Sequence, residues 1–386
     1  MKARVIGSGI TGVTTAYYLA KAGYEVEIFD ERRYSAMATS FAYGGQLSAS
    51  NAETWNSWRN VWKGIKWLTD KSAPLKINPM PSVEKYSWLY KFVKAIPQAN
   101  ENTVKTCAMA LSAHDLYKKI EYEENIYYDS VKRGILHFYK SHKEFDNAKR
   151  VNELYEQAGL VRREITPQAA KDLEPCLNIT DVVGAFFNQT DFTGDIHKFC
   201  VELTKVLQDK YAVKVNRTKI KTLKDTKALT VVCAGVYSKA LASTVGDYLP
   251  IYPVKGYSIT INNPVVAPWI SLLDDESKIV TARLGKDRFR VAGTAEFTGY
   301  NTDIIQDRIQ PLIDWVETNI KETETEYVNR WAGLRPMTPN MMPIVKKSTS
   351  NKHIWYNTGH GHLGWTLGAF TANQLVNSIT SDYKIG

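Results

Sequence analysis

Three glycines within the first twelve residues constrain this chain more than any other feature. Ala3-Arg4-Val5-Ile6 reads as a short buried strand, Gly7-Ser8-Gly9-Ile10-Thr11-Gly12 as a turn, and the residues through Ala22 as a helix. Glu25 to Asp30 then alternates outward Glu25 and Glu27 with inward Val26 and Ile28, the period-two pattern of a second strand. In such a β-α-β unit each glycine has its own task. Gly7 permits the tight turn, Gly9 lets a pyrophosphate approach the backbone, and Gly12 lets helix and strand pack closely. The helix N-terminus offers free N–H groups and partial positive charge to phosphates. Asp30 and Glu31 follow Gly12 by 18 and 19 residues, close to the ~20 expected of a carboxylate that binds a ribose hydroxyl, and the spacing leaves both open.

Two later passages repeat the strand-turn-helix pattern. Leu229 to Cys233 runs into Ala234-Gly235 and a helical pattern near Ser238. Ile354 to Asn357 runs into Gly359-His360-Gly361-His362-Leu363-Gly364, followed by a helix with Leu367, Phe370, Leu375 and Ile379 on one face. The chain therefore returns to its first unit near its end. With 386 residues and roughly 150 per domain there is room for an insertion and for ligand space at the junction. Between these passages Pro253–Ile261 and Arg288–Gly293 read as strands, and Ala108–Glu123 and Asp307–Ile320 as helices. Thr166-Pro167 reads as a helix start. The expected fold class is α/β: a discontinuous Rossmann-type dinucleotide-binding domain (1–60, 145–240 and 330–386) and an inserted α+β substrate domain with an antiparallel sheet (61–144 and 241–329).

Several function classes are excluded or weakened. No run reaches the ~18 apolar residues of a membrane span. Gly7, Gly9 and Gly12 break the apolar stretch behind Lys2 and Arg4, so no export signal is read. Cys107, Cys176, Cys200 and Cys233 are too widely spaced for a zinc site or a disulfide scaffold, and no metal is expected. The expected location is cytoplasmic. A net charge of +9 suits an anionic partner without choosing one. Seven basic residues between Lys210 and Lys227 lack the interleaved aromatics of a nucleic-acid strip and read as a solvated sheet edge, so no nucleic-acid partner is expected. Residues 54–69 carry Trp55, Trp58, Trp62 and Ile65 at helical spacing, with Arg59, Lys63 and Lys66 largely opposite. The ordinary reading packs these tryptophans on the core. The alternative lays the helix on the inner face of the cytoplasmic membrane, where tryptophan and lysine suit the interface.

The motifs taken together resemble bacterial D-amino acid dehydrogenases of the FAD-dependent D-amino acid oxidase superfamily. The resemblance is carried in order by VIGSGITGVTTAYYLAKAGYEVEIFD, Thr39-Ser40-Phe41 through Gly45-Gln46-Leu47-Ser48, Pro253-Val254-Lys255-Gly256-Tyr257-Ser258, Gly333-Leu334-Arg335-Pro336-Met337-Thr338-Pro339, and Asn357 through Thr366. It implies non-covalent FAD held by Gly7, Gly9, Gly12, Asp30 or Glu31, Ser40, Gly45, Gln46, Leu47, Ala234, Gly235, Gly359, His360, Gly361 and Gly364. It implies Arg335 as anchor of the substrate carboxylate, with hydride leaving Cα of a small D-amino acid for flavin N5. The products are a 2-oxo acid and ammonia, and the electrons pass to a quinone or carrier.

The residues support the anchor independently. Pro336 biases Arg335 toward extended backbone, and a guanidinium grips a carboxylate by two parallel hydrogen bonds. The competing reading of Arg335 is an internal ion pair. Tyr257 and Tyr252 are candidates for closing the pocket, each also suited to ordinary packing, and His360 for lying beside the flavin. Two departures from the family pattern touch these loops: Asn340-Met341-Met342-Pro343 replaces an Asp-Gly before proline, and Ala49-Ser50 replaces Pro-Gly. They leave substrate size and acceptor open. The alternatives are an oxygen-using glycine, sarcosine or D-proline type amine oxidase, and a non-catalytic nucleotide- or nucleic-acid-associated flavoprotein.

Overall fold

The computed structural model describes residues 1–67, 74–78 and 80–383. Its first sheet is built around Lys2–Ile6, which pairs in parallel with Glu25–Phe29 on one side and Leu229–Val232 on the other. Ile354–Thr358 extends the parallel array beyond Leu229–Val232. Lys214–Asn216 forms one edge and antiparallel Ile344–Lys347 the other. Strands buried on both faces carry β-branched and aliphatic residues, and Val5, Ile28 and Val231 lie in one core with Leu203, Leu375 and Ile379 from the covering helices. The basic run does fall at a sheet edge, and Lys210 and Lys219 are paired with Glu124 and Glu31.

The second sheet has nine strands among the described residues and mixed direction. Val328–Met337, Tyr252–Asn262, Arg288–Phe297 and Ile279–Leu284 form its antiparallel end. Ser271–Asp274, Ile135–Tyr139, Gly184–Asn188 and Arg163–Ile165 continue it, and Leu75–Ile77 joins Arg288–Phe297 in parallel. One face packs on the helix Gln306–Asn319 through Ile259, Val291, Leu312 and Trp315. The other face looks toward the first sheet: Ser258 Oγ donates to the carbonyl of Ala42 at 2.9 Å.

This architecture corrects the expected division in two places. The strands Arg163–Ile165, Gly184–Asn188 and Val328–Met337 belong to the second sheet, although their segments were assigned to the nucleotide-binding domain. Conversely, the helix Ala99–Glu124, expected in the substrate domain, packs on the C-terminal helix Gly364–Tyr383. Tyr117 donates to the carbonyl of Trp365 at 2.6 Å, and Tyr17 donates to Glu124 at 3.0 Å. Periodicity identifies an apolar face but not the layer that covers it, and the apolar face of Cys107, Ala110, Ala113 and Tyr117 suits either.

The tryptophan helix is also corrected. Trp58–Lys66 presents Trp58, Trp62 and Ile65 to solvent, 57%, 65% and 52% exposed, while Arg59 and Lys63 turn inward to Glu144 at 2.6 and 2.8 Å. Its basic face is the packed one. Residues 68 and 69 of that segment lie outside the described residues.

Candidate active site

The glycine turn folds as its spacing dictates. Gly7 has φ +103°, and a Cβ there would stand 2.5 Å from the Cys233 carbonyl oxygen; a Cβ on Gly12 would stand 1.9 Å from the Gly7 oxygen. Neither position tolerates a side chain. Gly9 is different: a Cβ would meet only Ser40 Oγ, at 3.4 Å, so its backbone faces open space. Ser40 in turn accepts from the Ile10 N–H, at 3.3 Å. Asp30, at the end of the second strand, accepts from the Ser8 N–H at 2.8 Å and Ser8 Oγ at 2.9 Å. Glu31 instead forms an exposed pair with Lys219.

From this turn a groove of about 350 Å³ runs along Asp30, Ser40, Ala234, Gly235 and Gly359–Gly361 to Gly364. Gly235, Gly359 and Gly361 have φ of +55°, +75° and +56°, conformations that let the backbone line the groove directly. The helix Gly364–Tyr383 begins at its wall, and its amino end brings partial positive charge there. His360 lines the groove but is fixed: its Nε2 bonds Thr371 Oγ1 at 2.9 Å, and burial pushes its pKa down to about 3. It is a neutral spacer and no proton donor at neutral pH. The cradle is long, glycine-lined and acid-ended, which fits a dinucleotide.

Thr39 and Tyr43 border this groove and also a second cavity of about 360 Å³, so the two are contiguous. Gly44 and Gln46 line the second cavity, and Gln46 is fixed by Nε2 donating to Ser271 Oγ at 2.7 Å. Gly45 is pressed against Ala282, and Leu47 is buried beside Phe192, so these two support the segment without lining the cavity.

Arg335 reaches into this cavity from the strand Val328–Met337. Its guanidinium lies across Gly256, where a Cβ would sit 2.4 Å from Nη2. Nη1 donates to the Thr294 carbonyl at 2.7 Å and Nη2 to that of Gly293 at 3.4 Å. Two carbonyls orient the fork without neutralising it, and no carboxylate pairs with it among the described residues, so the internal ion pair is not formed. Burial draws its pKa down, with Tyr43 opposing. The result is a desolvated guanidinium, short of a counter-ion, with donors left for a carboxylate.

Of the two tyrosines, Tyr257 borders this cavity beside Gly256 but turns its hydroxyl away, and Tyr252 does not line it. Tyr257 points to the opposite face of its strand, where its hydroxyl donates to Glu296 at 2.7 Å beside the Lys255–Glu296 pair at 3.2 Å. Tyr252 stacks on Phe297 at 5.6 Å within an apolar cluster. Both are framework residues. Sequence reading missed Tyr43, at the junction of the two cavities, and His362, which stacks on Trp55 at 4.7 Å. Burial pushes the His362 pKa down to about 3, with the backbone of Asn51 opposing. His362 lay in plain view inside the Asn357–Thr366 motif, two residues from the histidine that drew attention.

A parallel sheet with a glycine cradle, joined to an arginine-headed cavity on a second sheet, defines a dinucleotide-dependent enzyme, and the family match that follows makes that dinucleotide FAD. The chain belongs to the FAD dependent oxidoreductase family, whose model matches residues 3–377. It is 48% identical to D-amino acid dehydrogenase 3 of Mesorhizobium japonicum, covering 99% of this chain and 97% of that one. It is 34% identical to a D-amino acid dehydrogenase of Dechloromonas aromatica, covering 98% and 97%. Among solved structures, the glycine oxidase of Geobacillus kaustophilus superposes with a TM-score of 0.77 at 17% identity, covering 98% of this chain and 94% of that one, a likeness of fold.

Proposed function

We propose that the protein oxidises D-amino acids to 2-oxo acids and ammonia, with Arg335 as the substrate anchor. The observation that carries this reading is the half-buried, carbonyl-oriented guanidinium, without a carboxylate partner among the described residues, at the head of a cavity continuous with the dinucleotide groove. The D configuration is supported by relatives named as D-amino acid dehydrogenases at 48% and 34% identity.

Two parallel hydrogen bonds from Arg335 fix the carboxylate and thereby the direction of the Cα–H bond. Asp274 and Asp275 border the cavity but are committed. Asp274 accepts from Trp315 at 2.8 Å, and Asp275 accepts from Tyr139 at 2.9 Å. Among the described residues the two carboxylates bordering the cavity already have partners, which favours the neutral amine, whose lone pair assists loss of the Cα hydrogen with its electron pair. Bound FAD supplies the hydride acceptor. The amine nitrogen gives up a proton, and water converts the imino acid to the 2-oxo acid and ammonia. In this reading Asp30 would bind the ribose, Gly9 would face the pyrophosphate, and the N–H groups of Gly361–Gly364 would meet negative charge on the ring.

Electrons leave to a quinone or carrier at a lipid surface, a reading supported by the solvent-facing Trp58, Trp62 and Ile65. Among the described residues no helix is long and apolar enough to cross a membrane. The decisive experiment adds D- and L-amino acids separately to the yellow protein without air and follows flavin absorbance. Bleaching by D enantiomers alone is expected, with little peroxide on readmitting air. Bleaching by neither would overturn the reading, and stoichiometric peroxide would reassign the acceptor to oxygen.

A further inference from the structure

The expected substrate is a small amino acid, yet the cavity beyond Arg335 is built for a large one. Its far wall includes Trp55, Leu75, Ile77, Trp88 and Phe92. Leu75 and Ile77 come from the short strand, and Trp88 and Phe92 from the helix Val83–Lys94. Ala295 and Phe297 complete it from the strand Arg288–Phe297. Along that strand Glu296 faces Lys255 and Tyr257 on the opposite side, so alternation turns Ala295 and Phe297 toward the cavity. The carbonyls that orient Arg335 belong to Gly293 and Thr294, the residues just before Ala295. The apolar lobe therefore starts where the carboxylate is held. Small residues line its near end and aromatic rings its far end.

Among the described residues, the charged groups Lys278, Asp274 and Asp275 that border the cavity beyond Arg335 already have partners. Lys278 pairs with Asp275 at 3.6 Å, and the carboxylates of Asp274 and Asp275 are occupied as described. His362 is neutral and stacked on Trp55, presenting an aromatic edge and no charge. A charged substrate side chain entering here would lose its hydration without gaining a partner.

We infer that the preferred substrates are D-amino acids with bulky apolar or aromatic side chains, the ring lying in the lobe between Ala295, Phe297, Trp88 and the Trp55–His362 stack. This rests on the D-amino acid oxidation proposed above and specifies its substrate class. Burying a phenyl ring in place of a methyl group is worth on the order of tenfold to a hundredfold in binding or kcat/KM.

The test compares D-phenylalanine, D-alanine, D-glutamate and D-lysine on the holoenzyme with an artificial electron acceptor. D-phenylalanine is expected to exceed each of the others in kcat/KM by at least tenfold. Ala295→Phe, which fills the near end of the lobe, should reduce the ratio of D-phenylalanine to D-alanine at least tenfold. A second measurement needs no variant: 3-phenylpropanoate and propanoate, which lack an amine, are titrated into the holoenzyme and read by the shift in flavin absorbance. The phenyl acid is expected to bind at least tenfold more tightly. Equal or better use of D-alanine, or of D-glutamate through Lys278, or equal binding of the two acids, would overturn the inference while leaving D-amino acid oxidation standing. Failure of every D-amino acid to reduce the flavin would defeat the underlying reading instead.

Discussion

Arg335 carries most of the chemistry assigned to this protein, so its removal gives the most direct residue-level expectation. Arg335→Ala should cost about 2 to 5 kcal/mol in kcat/KM, on the order of 30-fold or more, with flavin content unchanged. Arg335→Lys should recover only part of this, because an ammonium lacks the planar fork. Steady-state kinetics beside the flavin absorbance ratio checks both, and near-normal efficiency in Arg335→Ala would remove the anchor. A second residue makes a separate expectation about stability. Asp247 is buried, which raises its pKa, but hydroxyl donors from Ser348, Thr349, Tyr356 and Ser350 outweigh this and hold it well below the usual carboxylate range. The stabilisation from its charge is complete above the unfolded pKa near ~4 and is lost as pH falls through the lower folded value. Asp247→Asn should therefore destabilise by about 1.5 to 3 kcal/mol at pH 7 in urea unfolding, with the gap to the parent narrowing below about pH 4. A gap independent of pH would contradict the hydroxyl cage. At this scale the strand position of Arg335 was legible because the following proline holds it in extended backbone. The facing of Tyr252 and Tyr257 was not, since a strand shows one residue to each face in turn and nothing local says which face meets the ligand.

At the level of elements, the glycine turn was legible because the positive φ of Gly7 and the contact of Gly12 with the Gly7 oxygen both lie within the β-α-β unit, whereas the Cys233 and Ala234 atoms that crowd Gly7 come from a distant segment. The helix Trp58–Lys66 was misread in its ordinary reading for the opposite reason. Its periodicity separates an aromatic from a basic face, but the partner that draws the basic face inward is Glu144, about eighty residues away. The outward aromatic face makes an expectation of its own. Sedimentation with vesicles containing anionic lipid should retain the protein at low salt, and Trp58→Ala with Trp62→Ala should weaken retention on the order of tenfold. Substitution without effect would return these side chains to the category of ordinary exposed aromatics.

For the molecule as a whole, the doubly wound plan was visible in three strand-turn-helix passages, but the allocation of segments to sheets was not. Strands from residues 163–188 cross to the second sheet through pairing registers that no short stretch of sequence announces. Because the groove collects residues from both sheets' neighbourhoods, cofactor and fold should be strongly linked. Removing FAD is expected to lower the melting temperature by several degrees. Free FAD at about a thousand times its dissociation constant stabilises by about 4 kcal/mol, so re-addition should restore the loss. Identical melting of stripped and reloaded protein would argue against the groove as the cofactor site.

The central strand Lys2–Ile6 owes its two neighbours to segments more than 200 residues apart, and the groove above it is closed by Gly359–Gly364. During synthesis at ~5 to 20 residues per second, the opening glycine turn must wait roughly 20 to 70 s for the stretch that completes its cradle. Flavin capture is thus a late event relative to synthesis of the opening unit. Until it occurs, the nascent polypeptide carries open strand margins that a chaperone must shield from self-association.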